Sequence, residues 1–183
     1  GFLRKKRWRR GVRAGSRWPF TYLGRCTPDN PRAHDYMPYP FFLGYATTYA
    51  ANKIGKDKVF FRDSIALSES YNNFYKYLDS IHNKIEYFLI ESATPSWEHD
   101  YNLIKEIKSK YPNLKIVVAG PISTSDEKWD SEIVHAVIKG EYEKNIIKVL
   151  EGQTGVINHD LLTKDEMNAA PIPYYDDMIY DKY

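Results

Sequence analysis

Two stretches decide how this chain folds: Ile85-Glu86-Tyr87-Phe88-Leu89-Ile90-Glu91 and Lys115-Ile116-Val117-Val118-Ala119-Gly120-Pro121. Each is a short run rich in β-branched or aromatic residues that ends at a polar or glycine corner. A strand wetted on one side alternates apolar with polar residues, whereas a continuous apolar run is buried on both faces, as in a parallel sheet covered by helices. Between the two runs, Thr94-Pro95 marks a helix start, because proline at the first helical position gives up a donor that had no partner anyway. Trp97, Tyr101, Ile104, Ile107 and Tyr111 then recur on one helical face until Pro112-Asn113 ends the helix. Strand, helix, strand is the pattern of a parallel βαβ crossover.

The alternation extends in both directions. Upstream, Phe41, Phe42, Tyr45, Thr48 and Tyr49 predict a helix stopped by Gly55, and residues 58–63 read as a short buried strand. Ser68 is the expected cap of a further helix whose apolar stripe is Tyr71, Phe74, Tyr75, Leu78 and Ile81. Downstream, a short helix is expected around Trp129, a strand over residues 133–138, and a helix carrying Ile146, Ile147, Val149 and Leu150 that Gly152 breaks. Residues 154–157 are a weak fifth strand, and the proline- and tyrosine-rich tail from Asn168 reads as an extended linker. The expected class is therefore α/β: a flavodoxin-like or Rossmann-like three-layer sandwich with a mostly parallel sheet. Ligands of such sheets sit beyond the carboxyl ends of the strands. The loops there are Asp63-Ser64, Ser92-Ala93-Thr94, Gly120-Pro121-Ile122-Ser123 and Gly140-Glu141, rich in small and hydroxyl-bearing residues, whereas the opposite-end connections look like plain solvated turns.

Composition narrows the functional classes. The 183 residues are 43% hydrophobic and 15% aromatic, enough for a core and too apolar for a disordered chain. One cysteine, Cys26, excludes an internal disulfide, a multi-cysteine zinc site and an iron–sulfur site built from this chain alone. No apolar run reaches the roughly 20 residues of a membrane helix, and no secretory signal pattern opens the sequence. The expectation is a soluble cytoplasmic protein. The net charge of +2 hides an imbalance: residues 1–28 hold nine basic residues and no acid, which leaves the rest with a net charge of −7. A basic arm on an acidic body argues against a nucleic-acid grip spread over the whole surface. Histidines 34, 82, 99, 135 and 159 show no metal-ligand spacing, and no catalytic set stands out.

Six pieces, in sequence order, resemble the cobalamin-binding-like domain that opens many cobalamin-dependent radical S-adenosylmethionine proteins. They are Gly11-Val12-Arg13-Ala14-Gly15-Ser16-Arg17-Trp18-Pro19; Tyr39-Pro40-Phe41-Phe42-Leu43-Gly44-Tyr45; residues 59–63, a strand ending in aspartate; Ile116-Val117-Val118-Ala119-Gly120-Pro121; Ile138-Lys139-Gly140-Glu141-Tyr142-Glu143, the most specific; and Ala170-Pro171-Ile172-Pro173-Tyr174-Tyr175-Asp176. The basic residues 1–10 stand apart as a segment of their own, and the resemblance implies a cobalamin-binding-like domain over 11–160 and a linker over 161–183. The linker would lead to a radical S-adenosylmethionine domain outside this chain, which alone would hold S-adenosylmethionine and a 4Fe-4S cluster. It implies an accessory part of an enzyme, with no catalytic residue of its own.

Under that resemblance the corrinoid site would be built from Arg17, Trp18, Ser92, Thr94, Pro95, Trp97, Gly120, Pro121, Ile122, Gly140, Glu141 and Glu143. Ser92, Thr94 and Trp97 would contact the nucleotide tail, and Gly120, Pro121 and Ile122 would let a flat macrocycle approach the backbone. Each has a plain structural reading beside it: helix cap and core aromatic, strand-end turn, and, for Glu141 and Glu143, acids favoured by a helix dipole. Three features depart from the family pattern. Its apolar first strand, central in the sheet, would fall at Phe2-Leu3-Arg4-Lys5-Lys6-Arg7-Trp8-Arg9-Arg10, which cannot be buried because each unpaired charge costs several kcal/mol. The Asp-x-His-x-x-Gly motif that supplies a lower-face histidine is absent, and so is the three-cysteine motif. The first central strand is therefore expected to be missing or replaced. Two other classes compete: a flavodoxin-like nucleotide or interaction module, weakened by the lack of a Gly-x-Gly-x-x-Gly or P-loop motif, and nucleic-acid binding through residues 1–28, where arginines interleave with Trp8 and Trp18.

Overall fold

In a computed structural model, residues 8–9, 21–22, 39–64, 67, 69–125 and 127–174 are described. Strands β1 (Trp8–Arg9) and β2 (Thr21–Tyr22) form a two-residue antiparallel ladder apart from the main sheet. The main sheet has four strands in the order β3 (Tyr87–Glu91), β4 (Lys115–Ala119), β5 (Ala136–Lys139), β6 (Gly155–Asn158), every pair parallel. Helices cover both faces, which makes this the expected flavodoxin-like or Rossmann-like α/β sandwich.

Strand β4 is the centre of the sandwich. Its alternate residues feed two separate cores, because successive side chains point to opposite faces. Ile116 and Val118 join α2 (Tyr71–Ile81) and α3 (Trp97–Lys110) through Phe74, Leu78, Leu103, Ile104 and Ile107. Val117 and Ala119 join α1 (Phe41–Ile54) and the short α4 (Ile146–Leu150) through Ala46, Ile146 and Val149. These β4 residues are fully buried, as their unbroken apolar run predicts.

The helix boundaries follow local chemistry. Gly55, at φ 102°, ends α1 as expected, and Gly152, at φ 98°, follows α4. For α2 the cap is Ser70 rather than Ser68, whose position is outside the described residues: the Ser70 hydroxyl accepts from the Asn73 amide at 3.3 Å. Thr94–Ser96 forms a single 3-10 turn before α3 begins at Trp97.

Three expectations differ from the structure. Residues 59–63 are extended, with Val59 at φ −114°, but join no strand ladder. No helix surrounds Trp129; the helical turn comes earlier, as the 3-10 segment Pro121–Thr124, because Pro121 directly after the Gly120 corner is pre-set for a turn. The tail is not extended throughout. Helix α5 (Lys164–Asn168) opens with a capping box between Thr163 and Glu166, and the chain then returns to the domain. Tyr174 is buried beside Phe61, receives a hydrogen bond from the Tyr39 hydroxyl at its carbonyl, and donates its amide to the Gly44 carbonyl at 3.1 Å. Among the described residues no helix is long and apolar enough to cross a membrane.

Candidate functional site

Because β3, β4 and β5 are adjacent and parallel, the loops after them emerge at one rim of the sheet. They are also tied to one another. The Ser92 amide donates to the Ala119 carbonyl at 2.9 Å, and the Ile122 amide donates to the Ser92 carbonyl at 3.1 Å. Across the rim, the Tyr142 hydroxyl donates to Glu91 Oε2 at 2.5 Å.

Beneath the first loop lies a buried carboxylate that the sequence reading passed over. Asp100 Oδ2 accepts from Ser92 Oγ at 2.5 Å and from Ser96 Oγ at 2.7 Å, and all three residues are buried. Burial holds the Asp100 carboxyl above its ordinary value, and the two hydroxyls only partly offset this. Burial likewise raises the Glu143 carboxyl, and it pushes the Tyr142 phenol up well beyond its usual range, reinforced by the charge of Glu91. The legible signal for Asp100 was its spacing: it lies four residues after Ser96, one helical turn away.

The two rim glycines each have a reason within the protein itself. Gly120 has φ 90°, and a Cβ there would lie 2.7 Å from Glu91 Cγ and from the Ser92 carbonyl oxygen. Gly140 has φ 72°, and a Cβ there would run into the ring of His159. Both positions need glycine for backbone conformation and for contact with their own neighbours. Ile122 is buried in the α2–α3 core, and Ser123 donates to the Gly120 carbonyl at 2.7 Å. Trp97, half-buried, stacks on Tyr101 at 5.1 Å and meets Trp129 edge-on at 5.0 Å, so it serves the flank of the core.

The structure thus brings Ser92, Thr94, Gly120, Pro121, Ile122, Gly140, Glu141 and Glu143 to one edge, with Pro95 in the turn beside them and Trp97 one step along α3. Arg17 and Trp18 lie outside the described residues. The side chains that reach solvent are short or polar: Thr94, Pro121, Thr124 and Glu141. Among the described residues no group of three or more histidines, cysteines or acids is placed to hold a metal ion.

A cavity of about 810 Å³ lies elsewhere, along the outer edge of β3. Its walls include α1 (Leu43, Ala46, Ala50), α2 (Phe74, Leu78, Ile81), α4 (Ile146, Leu150), residues 58–64 and the length of β3, and it reaches Glu91 and Asp100 at the carboxyl end of β3. Near that end, Arg62 donates to Glu69 at 2.5 Å and Ser64 donates to the same carboxylate at 2.7 Å.

The chain is a parallel α/β protein of the flavodoxin-like or Rossmann-like arrangement. Compared with family models, curated proteins and solved structures, it matches none.

Proposed function

We propose that this chain is an accessory cofactor-binding domain that presents its carboxyl-end rim to a flat corrinoid, with a partner domain closing over the opposite face. The observation that supports this is the convergence of three consecutive loops on one edge, the first two built largely from small or hydroxyl-bearing residues and the third opening with Gly140. Thr94 and Thr124 would offer hydroxyls to polar groups at the corrin periphery, and Pro121 would present a flat apolar contact. When bound, a corrinoid supplies methyl-transfer or radical chemistry at its upper face. The chain's own residues orient it: the Ser92–Asp100–Ser96 cluster stiffens the first loop, and the Tyr142–Glu91 bond joins the third loop to the end of β3. A radical S-adenosylmethionine domain is the partner this reading calls for. The proposal is confined to the rim, because the space beside Gly120 and Gly140 is taken by Ser92, Glu91 and His159.

The test is a visible-absorbance titration of the chain with hydroxocobalamin, repeated on Thr94→Trp. Thr94 is exposed, so the substitution blocks the rim without entering the core. Saturable binding that Thr94→Trp weakens by about tenfold or more, roughly 1.4 kcal/mol, is the expected outcome. A wild-type chain that shows no saturable spectral change, or a variant that binds equally well, overturns the reading.

A further inference from the structure

We infer that residues 159–174 form a strap that opens as one unit while the parallel sheet stays folded, with Tyr39, Gly44 and Tyr174 as its latch, and that opening it loosens the third rim loop.

The path of the strap sets what it can hold. From the end of β6 the chain passes over the start of α4 and finishes against the start of α1, two helices that share one face of the sheet. It is fastened at both ends. At the root, the Asp160 amide donates to Asn145 Oδ1 at 3.1 Å, and Asn145 Nδ2 donates to the Asp160 carbonyl at 3.3 Å. At the far end, Thr48 Oγ1 donates to the Ile172 carbonyl at 2.8 Å, and the Tyr174 amide donates to the Gly44 carbonyl at 3.1 Å.

The stretch between the fastenings is held lightly. From Leu161 to Ile172 no residue is buried, and Leu161, Met167 and Ile172 each expose more than half of their surface. The two ion pairs, Lys148 with Asp160 and Lys144 with Glu166, are partly open to solvent, where such pairs contribute little. Segments with few buried apolar contacts are the ones that open at less than the cost of global unfolding. The apolar anchor is also separate from the rest: Tyr174 belongs with Tyr39 and Phe61 to a small cluster of its own, apart from the two cores that share β4. The strap can therefore leave without taking either core apart.

Gly44 ties the latch to the sequence. Glycine within a helix is disfavoured against alanine, because it gives up more backbone freedom on folding, yet Gly44 is the fourth residue of α1. A Cβ there would lie 2.4 Å from the Tyr39 hydroxyl oxygen, and that hydroxyl donates to the Tyr174 carbonyl. The missing methyl lets Tyr39 reach the end of the strap. Gly44 thus serves the latch by its space and again by its own carbonyl.

Asn145 carries the effect to the rim. It is buried, and besides its two bonds to Asp160 its Nδ2 donates to the Glu141 carbonyl at 2.8 Å. When Asp160 leaves, that side chain keeps its bond to Glu141 and loses the other two, and a buried amide short of partners is costly. The loop that carries Glu141 is then held less firmly against α4.

The experiment is native-state amide hydrogen exchange, followed by NMR on the 183-residue chain, with each rate taken relative to its intrinsic value. Asp160, Met167, Ala169 and Tyr174 report on the strap, and Ile146, whose amide donates to the Tyr142 carbonyl, reports on the third loop. Ser92 and His135, whose amides donate to β4 carbonyls, report on the sheet. In the wild type the strap amides are expected to exchange at least about 100-fold faster than Ser92 and His135. Gly44→Ala is expected to speed the strap amides and Ile146 by about tenfold or more, while Ser92 and His135 stay within about twofold. Thr48→Val, which removes one far-end hydroxyl and leaves Gly44 alone, is expected to speed the strap amides by a smaller factor. The inference is overturned if the strap amides are as slow as the sheet, or if neither variant speeds them. It is also overturned if Gly44→Ala speeds Ser92 and His135 equally, or if Ile146 keeps its wild-type rate. No corrinoid enters the measurement, so this inference and the rim proposal fail separately.

Discussion

The two edges of the sheet, β3 and β6, are built on opposite principles. Strand β6 is made to be last: Gly155 opens it at φ 75°, Val156 faces water, only Ile157 is buried, and Lys148 Nζ donates to the Asn158 carbonyl at 2.9 Å. A short strand covered by a lysine is a recognised way to stop a sheet from growing. Strand β3 has none of these features. Its five residues are all half-buried, because each meets β4 or a helix on one side and the cavity on the other. One edge is finished and the other has the composition of a sheet interior.

The largest expected effect tests the finished part. Ile138→Ala, at a fully buried site in β5 packed with α4, should cost about 4 kcal/mol by chemical denaturation, whereas Leu89→Ala should cost about 2 kcal/mol because Leu89 is only half-buried. Equal costs, or a larger cost at Leu89, would break the contrast. An intermediate effect belongs to Asp100, just past the end of β3. Its folded-state carboxyl is raised by burial, so the folded chain favours the protonated form. Stability from this group is present below the ordinary carboxylate value and falls as pH rises through it toward the raised value. Asp100→Asn should therefore gain stability relative to wild type between pH 3.5 and pH 7, as read from unfolding midpoints at both ends; a difference that is constant with pH would count against the buried-acid reading. The smallest effect is at the finished edge: Val156→Lys should change stability by less than about 0.5 kcal/mol, and a large loss would mean that β6 is not a terminal strand.

The strands of the core were legible because a run such as Lys115–Ala119 has one physical solution: with no polar face to show to water, it must be buried on both sides. Glycine corners and proline turns were legible for the same local reason. Residues 59–63 were not. Val59 and Phe61 have strand character, but a strand exists only with a neighbour to bond, and composition carries no record of whether that neighbour is present. Of the candidate site, the convergence of the Ser92, Gly120 and Gly140 corners followed from strand order, which the pattern of elements implied. That the glycines are packed by Ser92, Glu91 and His159, and that Tyr142 ties itself to Glu91, did not follow, because these contacts join residues as far as 51 positions apart.

Taken alone, the amino-acid order determined the main helices, the buried strands β3 to β5 and the parallel sheet, since these depend on local geometry and on where apolar surface must go. Tertiary structure decided how each edge of the sheet is covered, where the cavity lies, and which residues pack the rim glycines. Those outcomes depend on the distance between surfaces brought together from remote parts of the chain, a quantity set only when the two cores pack against β4.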